Sequence, residues 1–140
     1  MSGREFIDTN VLIYADDTRD QRKQARAQAL ISRLRKEQRG VVSMQVLQEY
    51  FAAAIRKFGM SSANARQRVE VYSRFDVVTL HPTDLLAAID LHRLHNLSVW
   101  DALVVRAALN GSCMTLHTED MQPGYAIEQL TINNPFAGPE

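Results

Sequence analysis

The chain has 140 residues, and its 16 basic and 16 acidic side chains give a formal net charge of zero. Hydrophobic residues make up 46% and charged residues 23%, a composition that excludes disordered, collagen-like and mucin-like chains. A lone cysteine, Cys113, excludes an intrachain disulfide, and no apolar stretch approaches the roughly 18 residues of a membrane span. We therefore expect one cytoplasmic domain over residues 1–140, with no membrane partner.

The first predicted elements are a short strand at residues 5–7 and an apolar helix or turn at residues 11–14. A basic helix follows over about residues 20–36, with apolar residues at helical spacing, and Gly40 is expected to stop it. Between Arg19 and Arg39 lie eight basic and two acidic residues. This segment is either a solvated helix face or a surface that attracts phosphate.

The middle of the chain alternates between short strands and helices. A strand at residues 41–42 is followed by a helix that Ser43 caps and Gly59 ends. A weaker helical pattern covers residues 62–74, and a β-branched stretch at residues 77–80 predicts the third strand.

The last third of the chain continues this alternation. A helix that Thr83 caps is expected to end at His95, with Asn96 after it. Ser98 caps an almost wholly apolar helix that ends at residues 110–111. A fourth strand is predicted at residues 113–116, and residues 130–132 are a candidate for a fifth. Trp100 is expected to pack in the core rather than to stack on a base.

Strands separated by helices, without short hairpin turns, require crossover connections and favour a parallel sheet. The sequence thus predicts an α/β protein, a three-layer α/β/α sandwich around a mainly parallel sheet of four or five short strands. Ligands in such sheets bind where the strands end and the following helices begin.

Four carboxylates are expected at that edge. Asp8 directly follows the first strand, and Asp120 lies just beyond the fourth. Glu49 lies on the second turn of the helix after strand two, and Asp101 on the first turn of the helix that Ser98 caps.

Each carboxylate also has an ordinary structural interpretation. Asp8 suits a turn, Glu49 a solvated helix face, and Asp120 a polar loop before a Pro-Gly pair. Asp101 suits a capping box with Ser98, although a carboxylate on so apolar a helix needs a partner. Arg106 lies on another face of that helix and is a poor candidate for this partner.

Carboxylates crowded at one edge repel one another unless a cation neutralises them. Because every donor is oxygen, the expected ion is Mg²⁺ or Mn²⁺. Such a site beside basic residues suits hydrolysis of a phosphodiester by an activated water. Thr9, Asn10 and Thr118 would then hold the ligands in place or contact phosphate. The four histidines are expected to be structural or surface residues, although His117 lies close to Asp120.

Three segments of the chain together resemble a PIN-domain ribonuclease, and in particular a VapC-type toxin of a bacterial toxin–antitoxin pair. They are FIDTNVLIYA, VLQEYF and SVWDALVVRAALNGSCMTLHTEDM. In order, Asp8, Glu49, Asp101 and Asp120 match the four acidic ligands of the family. One departure is that Met121-Gln122-Pro123-Gly124 follows Asp120, where family members often have an aromatic residue.

The resemblance implies Mg²⁺- or Mn²⁺-dependent endoribonuclease activity on an RNA substrate, a homodimer, and a cognate antitoxin that covers the active site. Antitoxins of this kind often present an arginine to the carboxylates, which would mimic the charge of the metal.

Two other functions remain open. The chain could be a catalytically silent PIN-like module that binds RNA or protein, or a phosphatase that uses Asp8 as its nucleophile. The phosphatase is disfavoured because no lysine follows a predicted strand. A dinucleotide-binding enzyme is disfavoured because no G-x-G-x-x-G follows the first strand.

Overall fold

The computed structural model describes residues 3–138, which form a sheet and the helices that cover it. The strands are β1 (Arg4–Ile7), β2 (Gly40–Ser43), β3 (Asp76–Val78), β4 (Cys113–His117), β5 (Ala126–Ile127) and β6 (Leu130–Asn133). The helices are α1 (Thr9–Tyr14), α2 (Gln21–Glu37), α3 (Met44–Phe58), α4 (Ser62–Tyr72), α5 (Pro82–His95) and α6 (Val99–Asn110).

The sheet has the strand order β3-β2-β1-β4-β6-β5, and every pair is parallel except the hairpin of β5 and β6. Helices α1 to α4 pack with one another, whereas α6 packs on β2, β3 and β4 and carries α5. These contacts confirm the predicted α/β sandwich around a mainly parallel sheet. The described residues form six strands rather than four or five, because the two-residue β5 is too short to have a periodic pattern.

The polar caps that begin the helices are largely as predicted. The Ser43 hydroxyl accepts a hydrogen bond from the Val46 amide at 3.2 Å, and the Ser98 hydroxyl accepts one from the Asp101 amide at 3.0 Å. The prediction for Thr83 is wrong, since α5 begins at Pro82 after His81. The Asp84 carboxylate accepts there from the His81 amide at 2.8 Å. Pro82 suits the first helical position because it needs no amide donor.

Gly40 does not end α2, contrary to expectation. The left-handed residue after the helix is Gln38, with φ of 58°, and Gly40 is the first residue of β2. A Cβ atom at Gly40 would lie 2.5 Å from the Phe75 ring. Glycine is needed there for the close approach of the ring. Gly59, with φ of 62°, does end α3 as predicted.

Basic residues of α2 are largely engaged within the protein. Arg22 donates to the Gly138 carbonyl oxygen at 2.7 Å, and Arg26 donates to that of Ala137 at 2.8 Å. Arg33 binds the buried Glu5 carboxylate at 3.0 Å, and Arg39, which lies just after α2, binds it at 2.8 Å. The basic run therefore serves chiefly to hold the C-terminal segment and β1 against α2.

None of the helices in residues 3–138 is both long and apolar enough to cross a membrane.

Candidate active site

Asp8 is the centre of the acidic edge of the sheet. It directly follows β1 and caps α1, and its side chain is only 5% exposed. The Thr9 amide donates to Oδ1 at 2.7 Å, and the Thr118 hydroxyl donates to Oδ2 at 2.8 Å. Both donors are uncharged. The carboxylate is therefore oriented firmly without being neutralised.

Thr118 connects Asp8 to the residues that follow β4. Its hydroxyl oxygen accepts from the Asn10 side-chain amide at 3.2 Å and from the Asp120 amide at 3.1 Å. The same Asn10 amide nitrogen donates to Oδ2 of Asp120 at 3.0 Å. The Asn10 side-chain oxygen, Oδ1, accepts from the Glu119 backbone amide at 3.2 Å. The ends of two adjacent parallel strands are thus joined by polar side chains.

Glu49 reaches this edge from α3. The Thr9 hydroxyl donates to its Oε1 at 2.8 Å, and the Gln45 amide donates to Oε2 at 3.3 Å. Glu49 is exposed, as a residue on a solvated helix face would be, yet its carboxylate is hydrogen-bonded to Thr9, the residue next to Asp8. Thr9 therefore bridges two of the expected acids.

Asp101 lies on the first turn of α6 and lines a cavity together with Asp120. Arg106 does not serve as its partner, because the Arg106 guanidinium binds Asp84 at 2.9 Å.

Asp8 and Asp101 are each influenced by the negative charges of Asp120 and Glu49. Burial raises the pKa of Asp8 to about 6, and the negative charges of Asp120 and Glu49 add to the increase, while its hydrogen bonds oppose it. Burial also raises the pKa of Asp101, and the charges of the same two residues add to it. Mutual repulsion of this kind is what a bound cation would relieve.

The PIN domain family model matches residues 6–123. The chain belongs to the PIN-domain family. No curated protein matches this PIN domain significantly in sequence.

Solved structures with the same fold support this assignment. A toxin–antitoxin complex from Klebsiella pneumoniae is 18% identical and has a TM-score of 0.66; the match covers 94% of this chain and 97% of the other. VapBC2 from Rickettsia felis, bound to a DNA fragment of its promoter, is 17% identical with a TM-score of 0.66 over 93% and 97%. VapC20 from Mycobacterium tuberculosis, a toxin that cleaves the sarcin–ricin loop, is 18% identical with a TM-score of 0.62 over 80% and 86%.

The carboxylates of this PIN domain suit a hard divalent cation in their chemistry, because every side-chain donor is oxygen. Across residues 3–138, no three His, Cys, Asp or Glu side chains lie close enough together to form a ready metal site. Asp8 and Asp101, whose pKa values are raised, are the groups that gain most from a positive charge. The donor set therefore fits such an ion in its chemistry.

Glu119 is separated from the other acids by a contact that the sequence analysis missed. The Lys23 amine of α2 binds its Oε2, and the Tyr14 hydroxyl donates to its Oε1 at 2.9 Å. Phe136 packs edge-on against Tyr14, with ring centroids 4.9 Å apart. Glu119 is thus neutralised, whereas its neighbour Asp120 is exposed at the cavity. No sequence signal joins Lys23 to a residue 96 positions away.

The histidines are structural, as expected. His117 Nε2 lies 2.7 Å from the Glu5 carboxylate, and its Nδ1 lies 3.0 Å from the Asn133 amide, both inside the protein. His95 Nδ1 lies 2.8 Å from the Tyr125 hydroxyl. His117 is therefore not a member of the site, although it lies close to Asp120 in the sequence.

Trp100 does not pack in the core, contrary to expectation. Its side chain is 66% exposed beside Asp101, although most of α6 is apolar. Val99 and Trp100 on the first turn of α6 are exposed, whereas most of the rest of the helix is covered.

Proposed function

We propose that this PIN domain, acting as a single domain, is a Mg²⁺- or Mn²⁺-dependent endoribonuclease. We propose further that it is the cytoplasmic toxin of a VapC-type toxin–antitoxin pair. The observation that carries the proposal is the buried Asp8 carboxylate, which has neutral donors and acidic neighbours but no basic side chain among its described contacts. A metal ion bound there would supply positive charge and an activated water.

Asp8, Glu49, Asp101 and Asp120 would hold the ion, and the neutral residues around them would fix their positions. Thr118 orients Asp8, Thr9 orients Glu49, and Asn10 orients Asp120. Ligand orientation by such neighbours commonly changes metal affinity by about 10- to 100-fold. These hydrogen bonds would hold three of the four acids in position for the ion.

A second group of side chains next to the acids supports phosphate binding. A cavity of about 380 Å³, here called the Arg19–Lys57 cavity, is lined by these two cations together with the acids Asp17, Glu119 and Asp120. Arg19 pairs with Asp17 at 2.9 Å, and Arg19 and Lys57 would supply the positive charge that meets a phosphate beside Asp120. An RNA backbone would enter from here.

The protein partners are proposed from two observations. Two of the structures with the same fold are complexes of a toxin with its antitoxin, and an antitoxin arginine would find the same uncompensated acids that a metal would. The outer face of α5 exposes Leu86 and Leu94 at 63% and 78%, and we propose this face for a homodimer.

The test is cleavage of single-stranded RNA by the wild type and by Asp8→Asn and Asp101→Asn, with Mn²⁺ and with a chelator. We expect each variant to lose at least about 100-fold in rate, or roughly 2.7 kcal/mol in the barrier, while remaining folded. Glu70→Gln, at an exposed acid of α4, is the control and should cleave as the wild type does.

The same assay tests two other functions. A catalytically silent module is favoured by the lack of a preformed three-residue metal group in residues 3–138, and it predicts RNA binding without products. A phosphatase with Asp8 as nucleophile predicts an acid-labile phosphate on Asp8 in the wild type. Equal cleavage by wild type and Asp101→Asn would remove Asp101 from the site.

A further inference from the structure

A second cavity also borders Asp120 and lies between the start of α6 and the segment that follows β4. It has a volume of about 310 Å³, and Asp101 and Asp120 are among its lining residues. Its lining also includes aromatic and amide groups, from His95, Asn96, Gln122 and Tyr125. Neither the expected metal ligands nor the Arg19–Lys57 cavity accounts for these groups.

The aromatic wall of this cavity is held in place. The Tyr125 hydroxyl lies 2.8 Å from His95 Nδ1, and the two rings meet edge to face with centroids 5.7 Å apart. The backbone of the loop is fixed on β6, because Ile132 donates to the Tyr125 carbonyl at 2.9 Å and accepts from the Gly124 amide at 2.8 Å. Tyr125 is nevertheless 39% exposed, so a positioned ring remains open to a ligand.

The charges around the cavity select the kind of ligand. Asp101 and Asp120 would repel a phosphate that entered it, and no Lys or Arg is among its lining residues in the described part of the chain. An uncharged planar ring would instead meet Tyr125 and the Gln122 amide. The Arg19–Lys57 cavity also borders Asp120 but contains two cations. A strand that crosses the acidic edge would therefore leave its phosphates with Arg19 and Lys57 and turn a base towards Tyr125.

We propose that this cavity binds one nucleobase of a single-stranded RNA, next to the phosphodiester that is cleaved. The base stacks on Tyr125, and the Gln122 side-chain amide, which both donates and accepts, reads its edge. Bases are available for such contacts only in loops and unpaired segments. Gln122 and Tyr125 are thus specificity-determining residues, and the inference rests on the proposed ribonuclease function.

The first experiment measures cleavage of short RNAs that differ in a single base on either side of one cleavable position. We expect the wild type to prefer one base at one of these positions by at least tenfold in kcat/KM. Gln122→Ala should reduce this preference below threefold, and Tyr125→Ala should raise KM about tenfold with a smaller change in kcat. Gln67→Ala, an exposed glutamine of α4, is the matched control and should keep the preference.

A second measurement does not depend on catalysis. Wild-type protein in a chelator is titrated with each of the four nucleoside 5′-monophosphates while the ring signals of Tyr125 are followed by NMR. We expect these signals to shift in the wild type and to shift less in Gln122→Ala. Tyr125→Leu removes the aromatic ring but keeps a large apolar side chain, so its KM tests stacking if Tyr125→Ala fails to fold. Tyr125→Phe keeps the ring and loses only the hydroxyl that meets His95, so it should still bind the base.

The outcomes separate the two proposals. If the wild type cleaves no RNA but mononucleotides shift the Tyr125 signals, the ribonuclease proposal fails and base binding stands. If the wild type cleaves with a base preference that Gln122→Ala retains, and neither Tyr125→Ala nor Tyr125→Leu raises KM, the base cavity is overturned. The inference is also overturned if the variants lose only the binding of an antitoxin, because the cavity would then be a protein contact.

Discussion

Glu5 and Asp8 lie three residues apart at β1, and both carboxyl groups are buried. Burial raises the pKa of both, yet their final values differ widely. For Glu5, hydrogen bonds and charges from Arg33 and His117 outweigh burial and lower the pKa to about 2. For Asp8 the hydrogen bonds come from neutral groups and the nearby charges are negative, so the pKa rises to about 6.

The comparison shows that burial alone does not determine what a carboxylate is for. Glu5 is surrounded by Arg33, Arg39 and His117 and joins β1, α2 and β4 into one structural unit. Asp8 has comparable burial but no such neutralisation, and its charge remains available to something that binds. A fold can use one strand both for structural pairing and for a binding site.

The largest expected effect is the loss of stability when Glu5, the structural carboxylate, is neutralised. Glu5→Gln leaves Arg33 and Arg39 facing a neutral group, and we expect the free energy of unfolding to fall by about 3 kcal/mol in urea titrations at pH 7. Glu37→Gln is the matched control, because Glu37 binds the same two arginines but is exposed. It should cost less than about 1 kcal/mol. Equal losses from the two variants would show that the Glu5 cluster is not special.

The second prediction concerns pH and has opposite signs at the two residues. The native pKa of Asp8 is raised, so its ionisation lowers stability as pH rises from about 4 to about 6. The native pKa of Glu5 is lowered, so it adds stability as pH rises from about 2 to 4.5. We expect Asp8→Asn to be the more stable protein at pH 7 in a chelator, by about 2 kcal/mol.

That advantage should vanish below about pH 3, where Asp8 is protonated in both the folded and the unfolded state. The measurement is denaturant unfolding at several pH values, with the wild type and Asp8→Asn compared at each. An advantage that is the same at every pH would trace to packing rather than to the Asp8 charge.

The smallest expected effect tests the hydroxyl that connects Asp8 to Asp120. Thr118→Val keeps the shape of a fully buried side chain but removes its donor and acceptor. We expect the affinity for Mn²⁺, measured by calorimetry, to fall about tenfold, or roughly 1.4 kcal/mol. Thr118→Ser retains the hydroxyl and should bind Mn²⁺ within about threefold of the wild type. If Thr118→Ser and Thr118→Val bind Mn²⁺ with the same affinity, the Thr118 hydroxyl does not position the acids.

Regular elements of the fold were predictable because they carry local signals. The apolar spacing of α2 and α3, the capping serines and Gly59 all act over a few residues, and sequence analysis located them. Strand β5 and the role of Gly40 were not predictable in this way. Both depend on contacts with distant parts of the chain, namely β6 and the Phe75 ring.

The candidate site was likewise predictable where the signal is local in sequence and not where it depends on packing. Asp8 and Asp120 were predicted at one edge because each follows a parallel strand, and the structure joins them through Thr118 and Asn10. The pairing of Glu119 with Lys23 could not be predicted, since only the packing of α2 brings the amine there. The exposure of Trp100 could not be predicted either, because the apolar pattern of α6 does not show which residues of its first turn face solvent.

The internal use of the arginines on α2 has a consequence for how a polyanion would be held. With Arg22 and Arg26 on the C-terminal segment, and Arg33 on Glu5, that helix offers few cations to displace the ions condensed on a nucleic acid. Affinity should then decline only gently as ionic strength increases, with a shallow slope in a plot of log K against log salt. Discrimination among RNAs would come from their unpaired shapes rather than from bulk attraction.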